Sequence, residues 1–88
     1  MEIIFKSSFL KSLKKIKNSI LKTKIQETII ELEKVQKHSE ISNLKKLSGY
    51  KTYYRIKIGD YRLGLQIEND TITLVDFQHR KDIYNLFP

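Results

Sequence analysis

Arg55, Lys57 and Arg62 bracket a Gly-Asp dipeptide in the stretch YYRIKIGDYRL (residues 53–63), and His79, Arg80 and Tyr84 follow near the C-terminus. Together these are residue types that can hold an anion, move a proton beside it and stabilise a reaction in which charge develops on it. Cations aimed at developing charge are usually the largest contribution to such a rate. Arginine grips a phosphate through two parallel N–H bonds, and lysine adds a compact charge. His79 is the natural proton-transfer group near neutrality. The Tyr84 phenol would serve as a base only with cations beside it to favour its anion. Arg80 stays protonated and suits charge stabilisation. The chain has no cysteine, and its two histidines, His38 and His79, lie far apart in sequence. No metal-ligand spacing results, so neither a metal nor a cofactor is expected.

The spacing sets the geometry of the cations. Alternation of Tyr54, Ile56 and Ile58 with Arg55 and Lys57 reads as a strand, and so does Tyr61, Leu63, Leu65 and Ile67 against Arg62, Gly64 and Gln66. Gly-Asp is a two-residue hairpin loop. Ile58 then faces Tyr61, Lys57 lies opposite Arg62, and Arg55 lies opposite Gly64, with one face apolar and the other cationic. Like charges directly opposite cost roughly 0.2–1 kcal/mol. Solvated cations on an open face and a concave anion site, with Gly64 clearing space beside the cluster, both fit this register. Continuing it through an Asn69-Asp70 loop puts Val75, Phe77 and His79 on the cationic face. The same register puts Asp76 on the apolar face, which predicts a bulge there or a shifted register.

The elements that must carry this hairpin are legible from period and punctuation. EIIFK (2–6) is a short strand, and Ser7 or Ser8 then caps a helix with Phe9, Leu13, Ile16 and Ile20 at helical spacing. KNSI (17–20) offers a break, with Ser19 as a second cap. A second stripe of Leu21, Ile25, Ile29 and Leu32 runs to about His38, and the two helices are expected to form an antiparallel hairpin. Residues 39–49 read as a loop anchored by Leu44 and Leu47. END (68–70) turns the chain into TITLVDFQ (71–78), and RKDIYNLF (80–87) is a terminal helical turn or tail. The predicted class is α+β: an N-terminal strand, a two-helix hairpin, an antiparallel β-meander (β-α-α-β-β-β) and a short C-terminal helix, forming one domain over residues 1–88.

The 88 residues carry a net charge of +7, which points to a polyanionic partner. Residues 1–24 hold seven lysines against one glutamate. The lysines at 11, 14, 15, 17, 22 and 24 form a solvated helix face. Lys11, Lys14 and Lys15 would suit the backbone of a nucleic acid such as RNA, since phosphate contacts position without reading sequence. Tyr54 and Tyr61 fall on the apolar face, whereas Tyr53 is left as a base-stacking residue. The apolar run IIF is too short for a signal or membrane segment, and a basic membrane-surface helix is a minor alternative.

The pattern LKKLSGY…YYRIKIGDYRL…QIENDTITLVDFQHRKDIY, with the strand-helix-helix start, resembles the RelE/ParE superfamily of bacterial toxins over nearly the whole chain. The resemblance implies a cytoplasmic toxin of a type II toxin–antitoxin pair. One branch, RelE, cleaves messenger RNA in the ribosomal decoding site without metal; the other, ParE, poisons DNA gyrase. Carried over by position, the basic residues of the second family strand fall on Arg55 and Lys57, and the arginine opening the third falls on Arg62. The arginine after the last strand falls on Arg80 and the C-terminal tyrosine on Tyr84. Arg55 stands where lysine is common, and His79 where the best-known branch has another residue. The retained set favours the nuclease over the gyrase poison. The implied partners are the ribosome with its messenger RNA, and a small acidic antitoxin that wraps the helices or displaces the C-terminal segment and masks the cationic face.

Overall fold

The computed structural model describes residues 1–88. The chain runs β1 (Glu2–Phe5), α1 (Ser7–Lys14), α2 (Ser19–Lys34), a 3₁₀ turn (His38–Glu40), β2 (Leu44–Lys46), β3 (Tyr53–Ile58), β4 (Tyr61–Glu68), β5 (Thr71–His79) and α3 (Ile83–Leu86). One five-stranded sheet has the order β1-β5-β4-β3-β2, with β1 parallel to β5 and every other pair antiparallel. This is the predicted strand, two helices and antiparallel meander with a short C-terminal helix. The sheet gains one strand, β2, from the segment read as a loop.

Both predicted hairpin turns form, each for a stated stereochemical reason. Gly59 closes the β3–β4 turn at φ +58°, a conformation that glycine adopts without Cβ strain. Asn69 and Asp70, at φ 52° and 59°, supply the two left-handed residues of a type I′ turn, where Asn and Asp are tolerated.

The helices cover one face of the sheet. Phe9, Ile25 and Leu32 pack with Ile56, Leu63, Leu65, Ile72, Leu74 and Phe77 in a single cluster. Fully burying one such side chain contributes about 1.5–3 kcal/mol, so this cluster dominates the stability of the fold. The break after Lys14 resets the helical phase. Asn18, rather than Ser19, caps α2, its Oδ1 accepting Leu21 N–H at 3.0 Å. Ile20 therefore does not extend the first apolar stripe and stands 69% exposed, while Ile25 and Leu32 turn inward.

A β-bulge sets the phase of the last strand. Thr71 to Leu74 pair in regular register with Glu68 to Leu65; the register then shifts, so that Asp76 pairs with Gly64 and Phe77 with Leu63. Val75 is the additional residue. The irregularity expected at Asp76 is thus a bulge, and it removes the carboxylate from the row of Leu63. Helix α1 grips it from the side. Ser8 Oγ donates to the Val75 carbonyl, and Ser12 Oγ donates to Asp76 Oδ1 at 2.6 Å. Phe77 N–H and Gln78 Nε2 donate to the same oxygen at 2.8 and 3.2 Å. Ser12 and Asp76 are both buried, and an unpartnered carboxylate there would be costly.

Candidate functional site

The face of the sheet away from the helices carries the cations. Lys57 lies directly opposite Arg62 and Arg55 opposite Gly64, as the hairpin register requires. Cross-strand partners share a face. The repulsion between these cations is partly met by backbone carbonyls. Arg62 Nη1 donates to Gly59 O at 3.0 Å and to Tyr61 O at 2.9 Å, folding the guanidinium back onto the turn. Arg55 Nη1 donates to Asn43 O at 3.4 Å. Lys57 is exposed, and Arg55 and Arg62 are half-buried.

The space over Gly64 is not an open anion cavity. The ring of Phe87 lies on it, so close that a methyl group at Gly64 would fall 2.8 Å from Phe87 Cγ and Cδ2. Ile83, the first residue of α3, and Phe87, just past its end, form a second small cluster with Leu47, flanked by Tyr53 and Val75. Tyr53 meets the Phe87 ring edge-on at 5.4 Å and the Tyr50 ring edge-on at 5.8 Å. Tyr53 is half-buried among these neighbours. The glycine makes room for the C-terminal segment, which closes over one end of the cationic face.

The bulge corrects the placement of two residues. Val75 reaches the second face and packs there, as the simple register has it. Phe77 and His79 do not. After the extra residue, Phe77 pairs with Leu63 and His79 with Tyr61. Phe77 enters the main core and stacks on Tyr61 at 5.1 Å and 8°. The His79 ring sits edge-on to Tyr61 at 5.5 Å. His79 thus lies on the Tyr61 side of the sheet, opposite to Arg62, and its Nδ1 accepts Lys81 N–H at 3.2 Å.

Arg80 is exposed just past β5, its N–H tied to Asp60 O at 2.8 Å beside the hairpin turn. Tyr84 is 59% exposed, because Ile83 and Phe87 take the buried positions around it. Lys11, Lys14 and Lys15 are exposed on α1 and its C-terminal cap, in the helical layer. The residue that sequence reasoning missed is Lys45. Strand β2 sets it directly opposite Arg55, which extends the cationic row onto a third strand. A single alternation in the three residues Leu44–Lys46 was the only signal available.

Residues 3–84 match the family described as the ParE toxin of type II toxin–antitoxin system, parDE. The chain is 37% identical over 89 aligned residues to Toxin RelE3 of Methanocaldococcus jannaschii, with both proteins covered in full. The chain belongs to the RelE/ParE superfamily of toxins. Its fold superposes on a chain of the RelB–RelE antitoxin–toxin complex from Methanococcus jannaschii with a TM-score of 0.81, at 34% identity, covering 97% of this chain and 99% of that one. A chain of the archaeal RelE–RelB complex from Pyrococcus horikoshii OT3 shares the fold at a TM-score of 0.73 and 20% identity, with 93% and 97% coverage. The protein is a RelE-type toxin of a toxin–antitoxin system. None of its helices is long and apolar enough to cross a membrane.

Proposed function

We propose that this toxin is a ribosome-dependent endoribonuclease that cleaves messenger RNA by attack of the 2′-hydroxyl on the adjacent phosphate. The observation that carries the reading is Lys57 held directly opposite Arg62 on the face the helices leave open. A scissile phosphate between them would relieve their repulsion and gain stabilisation as charge builds on its oxygens. Tyr84 takes the 2′ proton as the 2′-oxygen bonds to phosphorus; the bond to the 5′-oxygen breaks, and that oxygen takes a proton from water as it leaves. Arg80 stabilises the charge, and Arg55 holds the RNA backbone beside it. His79, on the far face from Arg62, is left out of proton transfer.

The match to the ParE description favours a second reading, a gyrase poison that needs no catalysis. A reconstituted translation reaction separates the two. With the toxin added, primer extension on the messenger is expected to show breaks within codons at the decoding site, absent without ribosomes and lost with Arg62→Ala. Intact messenger, with cleaved DNA accumulating on gyrase, would overturn the nuclease in favour of the poison.

The partner that restrains the toxin is a small acidic antitoxin. Relatives of this fold are found as RelB–RelE complexes. The chain's net charge of +7 and the exposed apolar Leu10, Ile20 and Ile30 of its helices suit an acidic, amphipathic chain laid along the helical layer.

A further inference from the structure

The cations of the open face fall into two pairs. Lys57 and Arg62 are direct partners beside the Gly59–Asp60 turn. One row further from the turn, β2 brings Lys45 opposite Arg55. On its other side Arg55 faces Gly64, where the Phe87 ring fills the space. Arg55 is therefore closed off from β4 and turns the other way, donating to Asn43 O at the approach to β2. Lys45 beside it is exposed.

We propose that Lys45 and Arg55 form a second phosphate-binding position. It takes the backbone phosphate next to the one engaged by Lys57 and Arg62, in a single strand of RNA laid across β2, β3 and β4. The inference rests on the reading of this face as an RNA site. Rows two residues apart along a strand are separated by about 7 Å, a distance that neighbouring phosphates of an extended strand can span. The pairing also explains why two cations tolerate direct opposition on an edge strand, where each like-charge pair costs roughly 0.2–1 kcal/mol. Guarding the sheet edge against strand addition is a use for lysine in general. That task is met by Lys46, which lies opposite Tyr54 on the alternate face, and it does not require Lys45 to lie beside Arg55.

The test is a titration of the full-length toxin with a short, labelled, single-stranded 2′-O-methyl RNA, which has no 2′-hydroxyl to attack, repeated across a salt series. One lost phosphate contact on single-stranded RNA lowers the slope of log K against log salt by about 0.7. Lys45→Ala is expected to lower it by that amount and to weaken binding severalfold at low salt, whatever the base sequence. In double-mutant cycles Lys45→Ala is expected to couple with Arg55→Ala, because the two share a phosphate, and to be additive with Arg62→Ala within a factor of about 2. Wild-type binding with an unchanged slope for Lys45→Ala overturns the second position and leaves the RNA reading standing. Coupling to Arg62 instead of Arg55 overturns the pairing in favour of one merged cluster. Absence of any salt-sensitive binding by the wild type overturns both readings together.

Discussion

The ring of Phe87 rests on Gly64, with 2.8 Å between the ring's Cγ and the position a methyl group would take. Phe87 is 2% exposed and anchors the C-terminal segment to the sheet, so the glycine is a socket for the tail. Gly64→Ala is expected to push the ring out and cost about 1–3 kcal/mol, as overpacking does. Hydrogen exchange at residues 83–87 should rise more than at β4 itself. Pairing Gly64→Ala with Phe87→Leu should recover part of the loss in a denaturant titration. Unchanged stability and tail protection in Gly64→Ala would show that the socket is not a packing contact of consequence.

Ser12 and Asp76 are expected to behave as the fastening of α1 to the β5 bulge. Ser12→Ala removes the 2.6 Å bond to the carboxylate but leaves the donors Phe77 N–H and Gln78 Nε2 in place. A hydrogen bond to a charged group contributes about 1.5–3 kcal/mol, and a stability loss in that range is expected by urea unfolding. Asp76→Asn keeps an acceptor oxygen for those two donors and should cost less than Asp76→Ala, which orphans the Phe77 N–H and leaves the Ser12 hydroxyl with only the bond it accepts from Gln78 Nε2. Equal losses for Asn and Ala would argue against this division.

Periodicity made the hairpin legible because Gly59-Asp60 fixes the register outright, and every pairing from Tyr54–Leu65 to Ile58–Tyr61 follows from it. Asp76 gave the bulge away, since a carboxylate cannot replace an apolar side chain against Leu63. Its effect on His79 was harder to read. One additional residue reverses the face of everything after it, and nothing in the local sequence says whether Val75 or Asp76 is the extra one. Serines 8 and 12 of α1 decide that, from more than sixty positions away. Strand β2 was hidden for a different reason. Leu44–Lys46 has no β-branched or aromatic residue, and it forms because β3 offers an unpaired edge. The role of Gly64 was invisible until the tail folded back, because proximity of Phe87 to Gly64 is wholly tertiary.

Removing His79 from the cationic face leads to a specific kinetic expectation. His79→Ala should leave messenger cleavage within about threefold of wild type. Tyr84→Phe should lower it about 10²-fold or more, the usual scale for loss of a general base. Both positions lie at the surface end of the fold, and neither substitution empties the core. Single-turnover cleavage on programmed ribosomes, with saturating toxin, gives the comparison. A loss at His79 as large as that at Tyr84 would restore the histidine to the chemistry and require the strand end to bend around the hairpin turn.

Arg62 holds the hairpin turn as well as facing Lys57, and the two roles can be separated. Its Nη1 donates to the carbonyls of Gly59 and Tyr61 at 3.0 and 2.9 Å, which ties the guanidinium to the turn. Arg62→Lys keeps the charge but has neither the plane nor the second nitrogen with which to hold turn and phosphate together. Charge counting alone therefore predicts an unchanged salt slope for Arg62→Lys binding the 2′-O-methyl strand, and a slope lower by about 0.7 for Arg62→Ala. Cleavage should separate from binding. Loss of one preorganised donor to a developing oxyanion costs about 10²–10³-fold in rate, so Arg62→Lys is expected to bind nearly as wild type and cleave about 10²-fold more slowly. If Lys at this position cleaves as well as Arg, then charge is all the site needs there, and the clasp on Gly59 and Tyr61 serves the turn alone.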